Sequence, residues 1–267
     1  MQPTYIVRST TNQRENNEDS FQILALMPGI ERSPITILAV ADGMGGHAHG
    51  AEVSREALRK LSLALFEQLI VEPSLNNLQA VPPPNAQILS QVMFSALEQA
   101  NAYVKRMVEA NQWGKAGSTM VVAAILDNLA VVVNLGDSPM FHYQVSQRQL
   151  VKVTEDHSVA GVLLRAKMIT TEMARYHEGR NRLEYYLGCP HLPPEPPVQQ
   201  VALAAGDLLL LCTDGISGSV SEEQIKEILA ESGSNLEKKA EQLLTVSQEA
   251  GETDNQTLIL WQHLSRF

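Results

Sequence analysis

Several apolar runs in this 267-residue chain deliver an aspartate at their ends. Ile37 to Ala41 leads into Asp42-Gly43, Val131 to Leu135 into Gly136-Asp137, and Leu208 to Thr213 into Asp214-Gly215. Asp254 stands just before the run Thr257-Leu258-Ile259-Leu260, and Glu18-Asp19 just before the run that opens at Phe21. Taken singly, Asp-Gly at the end of a strand is a turn signal. Here, however, Asp42-Gly43 and Asp214-Gly215 are followed by loops and then helical patterns, not by a returning strand. If these strands share one sheet end, their carboxylates meet, and each uncompensated charge costs several kcal/mol. Hard divalent cations such as Mg²⁺ or Mn²⁺ offset that cost, because they prefer carboxylate, carbonyl and water oxygens. No His or Cys cluster competes for a softer metal. The acids are far apart in sequence, so their convergence is left to the fold.

The elements that would position them read as follows. Strands are expected over 4–8, 21–26, 35–41, 118–126, 130–135, 140–145, 149–153, 198–203, 207–212 and 256–263, from their Val, Ile, Leu and Phe content and the Gly, Asp, Asn and Pro between them. Helical spacing begins at Glu52 and recurs over about 86–111, where Leu89, Met93, Ala96, Leu97, Ala100 and Val104 form one apolar stripe. Residues 72–85 contain Pro73 and Pro82-Pro83-Pro84 and read as a surface loop. Ser221-Glu222-Glu223-Gln224 is a capping box that opens a helix, and another covers about 235–250. Residues 157–188 are more polar and helical in pieces. Strands in runs and helices in pairs give an α+β fold, an antiparallel sheet core with helices on its faces.

Composition narrows the function. Twenty Lys and Arg against thirty Asp and Glu leave a net charge of −10, which makes a poor general binder of nucleic-acid backbones. A 44% hydrophobic content is too high for disorder. Cys189 and Cys212 lack metal-ligand spacing. No apolar run spans a bilayer, and the N-terminus has no basic start followed by an apolar stretch. A soluble cytoplasmic protein, probing no nucleic acid or membrane, is expected.

Seven ordered stretches carry a resemblance. They are Arg14 to Ser20 (RENNEDS), Val40 to His47 (VADGMGGH), Gly117-Ser118-Thr119, Asn134 to Ser138 (NLGDS), Thr154 to Ser158 (TEDHS), Cys212 to Gly215 (CTDG) and Asp254-Asn255. In these the chain resembles the bacterial branch of the metal-dependent protein phosphatases, the type 2C family. The resemblance implies a β-sandwich of two antiparallel sheets flanked by helix pairs (α-β-β-α). It implies one catalytic domain over 1–267, with a flap subdomain at about 157–190. It further implies two Mn²⁺ or Mg²⁺ ions, with Asp42 bridging, Asp214 and Asp254 at the first ion, and Asp19 with the Gly43 carbonyl at the second. Glu18 is an alternative or outer partner there, and Asn255 orients Asp254. Arg14 matches the phosphate-binding arginine, a planar fork suited to two phosphate oxygens. His47 matches a histidine that either donates a proton to the leaving alkoxide or holds the surroundings of the metals. His49 beside it reads as an exposed residue.

The chain also departs from the family. Pro139 follows Gly136-Asp137-Ser138 where arginine is usual, and Gly218 stands where a second aspartate often accompanies Asp214. A weak third ion, held by Asp137 and Asp214, is therefore expected to be weaker still. Ala51 replaces a usual Glu, with Glu52 as a stand-in, and Glu184, Tyr185 and Tyr186 are unusual flap residues that would alter substrate preference, packing being the expected role of the two tyrosines. The implied activity is hydrolysis of phosphoserine and phosphothreonine in proteins, in signalling opposite a serine/threonine kinase, by a monomer. The alternatives are a small-phosphoester hydrolase, or a catalytically weak member that binds phosphoproteins.

Overall fold

The computed structural model describes residues 4–28, 33–44, 49–71, 85–194 and 197–264. Two antiparallel sheets stack face to face. The first runs in the order β1 (Tyr5–Thr10), β11 (Gln256–Gln262), β10 (Leu208–Cys212), β7 (Met140–Gln144) and β8 (Gln149–Lys152). The second runs β2 (Asp19–Leu26), β3 (Ile35–Met44), β5 (Met120–Leu126), β6 (Leu129–Leu135) and β9 (Val198–Ala202), with the short β4 (Gly117–Ser118) paired to the end of β3.

Alternation along each strand sorts the core into three layers. Leu38, Val40, Val121 and Val132 meet Leu209, Leu211 and Ile259 between the sheets. On the outer face of the second sheet, Ile37, Ala39, Val122 and Val133 meet α1 (Gly50–Phe66) and α2 (Ala86–Asn111) through Leu61, Leu65, Met93 and Leu97. On the outer face of the first sheet, Leu210, Cys212 and Leu260 meet α6 (Glu222–Ala230) and α7 (Leu236–Glu249) through Ile225, Leu229 and Leu243. This is the α-β-β-α sandwich that the resemblance implies. Helix α2 has the bounds read from its stripe, with Asn85 as its N-cap, and the Ser221–Gln224 capping box is present in both directions. Two short helices, α3 (Val159–Arg165) and α4 (Thr171–Tyr176), account for the polar 157–188 stretch.

The differences lie at the sheet end that carries the acids. Strand β3 continues through Asp42 and Gly43 to Met44, because β4 gives those residues backbone partners, Gly43 opposite Ser118 and Met44 opposite Gly117. Strand β2 starts at Asp19 itself, whose register partner is Asp42. Where a loop is expected after Asp214, a one-turn helix α5 (Asp214–Ser217) forms. The expected loop at 72–85 lies, up to Pro84, outside the described residues.

Candidate functional site

Antiparallel register alone brings the first two acids together: Asp19 and Asp42 face each other across β2 and β3. The Asp42 backbone is fully engaged. Its N–H donates to Thr119 Oγ1 (3.0 Å), and its carbonyl accepts the Thr119 N–H (2.8 Å) and the Ser118 hydroxyl (2.9 Å). Thr119 in turn bonds Ser138 (2.6 Å), next to Asp137. The turn bearing Asp137 is fixed from the other side, where the Gly136 N–H donates to His157 Nδ1 (3.2 Å). Burial depresses His157 to a pKa of about 4, so it stays a neutral acceptor. From the first sheet, β10 ends at Cys212 and presents Asp214, while Asp254 precedes β11.

The charges of these acids act on one another. Burial raises Asp42 well above the usual carboxylate range, and the charges of Asp214, Asp19 and Asp137 raise it further. Asp137 is raised well above that range by burial and then by Asp214 and Asp156, against the pull of Lys152. Asp214 is raised by burial and then by Asp254. Asp19 rises to about 7 from burial, although the hydroxyls of Thr257 and Thr213 lower it. Thr213 Oγ1 donates to Asp19 Oδ2 at 2.9 Å, yet the buried Asp19 Oδ1 has no partner. Among the described residues no three His, Cys, Asp or Glu side chains already close around one point. Asp137, Asp214 and Asp254 instead face an open cleft, with Asp42 and Asp19 close enough for the charge of Asp214 to act on them. The cleft holds about 770 Å³ and is bounded by Asp137, Lys152, Asp156, Arg175, Asp214 and Asp254 among others.

An all-oxygen donor set, mutually raised carboxylates and an orphaned carboxylate oxygen fit hard divalent cations. Gly43 fits a close approach as well, since a Cβ there would collide with the Gly50 carbonyl and lie 2.8 Å from the Glu18 carbonyl oxygen. Its N–H donates to that Glu18 carbonyl (3.1 Å).

Arg14 pairs with one of these acids, its guanidinium 2.9 Å from Asp254 Oδ2. Asn255 does more than orient its neighbour. Its own N–H donates to Asp254 Oδ1 (2.8 Å), while its side chain accepts the Glu18 N–H (2.8 Å) and donates to the carbonyls of Thr11 (3.1 Å) and Asn16 (2.9 Å). It therefore pins the loop carrying Arg14 to the turn that carries Asp254 just before β11. His47 lies outside the described residues. His49, read as exposed, is half-buried and stacks on Trp113. Glu52 is exposed, and the carboxylate that occupies the space beside Gly50 is that of Glu18.

Gly218 is more than a missing aspartate. Its N–H donates to the Asp214 carbonyl (2.6 Å), and a Cβ would lie 2.7 Å from that oxygen, so this turn is built tight. Tyr185 packs edge-on against His157, and Tyr186 lies over Gly117. The adjoining Leu187 exchanges backbone hydrogen bonds with Ser118 (2.8 and 3.1 Å). These residues therefore fasten 183–187 to the sheet beside the acids, as packing groups. Sequence reading missed Thr213 and Thr257 as partners of Asp19, and Lys152, which grips both oxygens of Asp156 at 2.7 Å. Only their position flanking the aspartates, one residue before Asp214 and three after Asp254, marks the two threonines.

A cavity of about 340 Å³ opens at the opposite end of β3, lined by Thr36, Ile125, Asn128, Trp261 and His263 among others. It has no cluster of acids.

Known proteins resemble this chain in sequence and fold. The sequence profile described as "Protein phosphatase 2C" matches residues 8–249. "Serine/threonine phosphatase stp" of Listeria monocytogenes is 31% identical over 248 residues, covering 92% of this chain and 90% of the relative. The crystal structure of the serine/threonine phosphatase PstP/Ppp of Mycobacterium tuberculosis superposes with a TM-score of 0.77 at 28% identity, covering 98% of both chains. The catalytic domain of a serine/threonine protein phosphatase PstP, solved in complex with two manganese ions, superposes at 0.74 with 26% identity and 98% coverage of both.

Proposed function

This chain belongs to the protein phosphatase 2C family, and from that membership we propose that it hydrolyses phosphoserine and phosphothreonine in proteins with two Mn²⁺ or Mg²⁺ ions in its acidic cleft. The observation that supports the reading is that Asp19 faces Asp42 in register and that the charges of Asp137, Asp214 and Asp254 act on these two or on one another.

Asp42 is the central ligand, facing Asp19 across the strand pair and Asp214 across the sheets. Asp214 and Asp254 hold one ion, and Asp19 with the Gly43 carbonyl holds the other. A third, weaker ion would use Asp137 and Asp214, with Gly218 adding no carboxylate. Bound, the ions supply Lewis acidity and water acidified to near neutral pH. The protein's own groups do the rest. The guanidinium of Arg14, half-exposed and anchored by Asp254, offers its remaining N–H groups to phosphate oxygens as a planar fork. Asp254 sets the angle of that fork, and Asn255 keeps the arginine loop in place. His47 holds a proton for the departing serine or threonine oxygen. The flap, about 157–190 within a single catalytic domain, walls the cleft with Thr171, Arg175, Tyr176 and Arg180 and receives the protein around the phosphorylated residue.

The substrate is a phosphoprotein made by a serine/threonine kinase, and the enzyme acts as a monomer in signalling. Among the described residues no helix is long and apolar enough to cross a membrane. Free, buried Cys189 and Cys212 suit a reducing cytoplasm.

Hydrolysis of p-nitrophenyl phosphate should require added Mn²⁺ and stop with chelator. A phosphothreonine peptide should be preferred over sugar phosphates and nucleotides. Full turnover in metal-stripped buffer would refute the ion-dependent mechanism, and preference for the small esters would move the substrate class.

A further inference from the structure

The segment between α2 and β5 touches both ends of the stretch that follows Asp42. At one end, Ser118 and Gly117 pair with Gly43 and Met44. At the other end, the Trp113 ring lies on His49, centroids 4.5 Å apart and planes within 10°. Trp113 is itself placed by the end of α2. Gln112 takes the left-handed conformation (φ 57°) and donates its N–H to the Glu109 carbonyl (3.2 Å), while the Trp113 N–H donates to Val108 (3.1 Å). This is the hydrogen-bonded reversal that commonly closes a helix, so the indole departs from a fixed point. Ala116 returns an N–H to the Trp113 carbonyl (3.3 Å), stiffening the link to β4.

His49 is the residue before α1. Its carbonyl accepts the Val53 N–H (2.9 Å), and its ring makes no capping bond, which leaves the ring free for Trp113. Gly50 comes next and is wedged. A Cβ there would lie 2.7 Å from the Glu18 carboxyl carbon and 2.9 Å from the Gly43 carbonyl carbon. With no slack between the first turn of α1 and that carbonyl, a shift of His49 moves Gly43 or Glu18. Close-packed contacts of this kind transmit displacement and do not absorb it.

We propose that residues 113–118 form a bracket that sets the Gly43 carbonyl, and that Trp113 is a positioning residue for the ion held there, acting through His49 and Gly50. The inference rests on the reading of Gly43 as a cation ligand.

Titration calorimetry with MnCl₂ on the full chain tests it, alongside Mn²⁺ activation curves with p-nitrophenyl phosphate and melting in chelator. Trp113→Ala should weaken one of two Mn²⁺ sites about tenfold, the usual loss when a residue that orients a ligand is removed. Its kcat at saturating Mn²⁺ should hold, so the effect falls on the activation constant. Trp113→Phe should restore the affinity to within about twofold, since an aromatic ring keeps the stack. His49→Ala should match Trp113→Ala, and the double variant should be no weaker than either, because the two act as one unit. Should Trp113→Ala fail to fold, His49→Ala carries the test alone.

Unchanged Mn²⁺ affinity in these variants, additive losses, or a lower melting temperature in chelator without an affinity change would overturn the bracket. Wild-type protein that takes up two ions while the variants bind equally well would sink this inference only. Wild-type protein that takes up none would sink the metal reading with it.

Discussion

The two ends of the sandwich bury carboxylates in opposite ways. Away from the cleft, Asp207 is 3% exposed and completely satisfied. His142 Nε2 lies 2.8 Å from its Oδ2, which also accepts the Ala204 N–H (2.9 Å), and its Oδ1 accepts the Val145 N–H (3.0 Å). At the cleft, Asp19 is nearly as buried, at 8%, and keeps one oxygen without a partner among several other acids. A structural carboxylate is neutralised by donors that arrive with the fold. Asp19 is supplied with hydroxyls and repelled by Asp214 and Asp254, which leaves the rest of its compensation to something from outside.

That contrast has measurable edges. The largest effect should come from Asp42→Ala. Losing the shared ligand forfeits several kcal/mol of metal catalysis, so turnover should fall about a thousandfold. Its melting temperature in chelator should rise, because one of several crowded, mutually repelling carboxyl groups has gone. A variant that melted lower in chelator would mean that Asp42 is a structural acid like Asp207.

Asp207→Ala should do the reverse. It strands His142 and two backbone N–H groups and should cost about 3 kcal/mol in urea unfolding, with Mn²⁺ affinity unchanged. Weakened Mn²⁺ binding there would erase the distinction between the two ends.

A third effect follows from the raised acids. Asp19 binds its proton up to about pH 7 when folded but only to about 3.8 when unfolded. The native state therefore holds more protons between those values, and stability falls as pH rises through that window. In chelator, melting should rise on going from pH 8 to pH 5, on the order of 5 °C. Saturating Mn²⁺ should flatten this slope. A slope unaltered by Asp19→Asn would remove Asp19 from the account.

The smallest change should come from Thr213→Val. It removes one donor to Asp19 and should deepen the chelator-state instability at pH 8 by about 1 kcal/mol. An unaltered pH slope would show that this hydroxyl does not tune the acid.

How much was legible beforehand differs by element. Helix α2 was readable to its terminal residues because one apolar stripe, bounded by Asn85 and a chain reversal, is a local property. The capping box at Ser221 was readable for the same reason. Strand β3 was read too short, since nothing within 35–44 announces that β4, some 75 residues later, supplies partners for Gly43 and Met44. Local pattern also cannot distinguish His49 in solvent from His49 under the ring of Trp113.

The amino-acid order alone determined which residue types were available: aspartates at the ends of apolar strands, glycines beside them, and no His or Cys cluster to compete. Whether those aspartates form a site was decided only in three dimensions. Strand register sets Asp19 against Asp42, sheet stacking brings Asp214 and Asp254 over them, and Thr213 and Asn255 fix side chains from distant loops. Charge repulsion and desolvation depend on separations of a few ångströms, and those separations arise from long-range packing that no local window of sequence encodes.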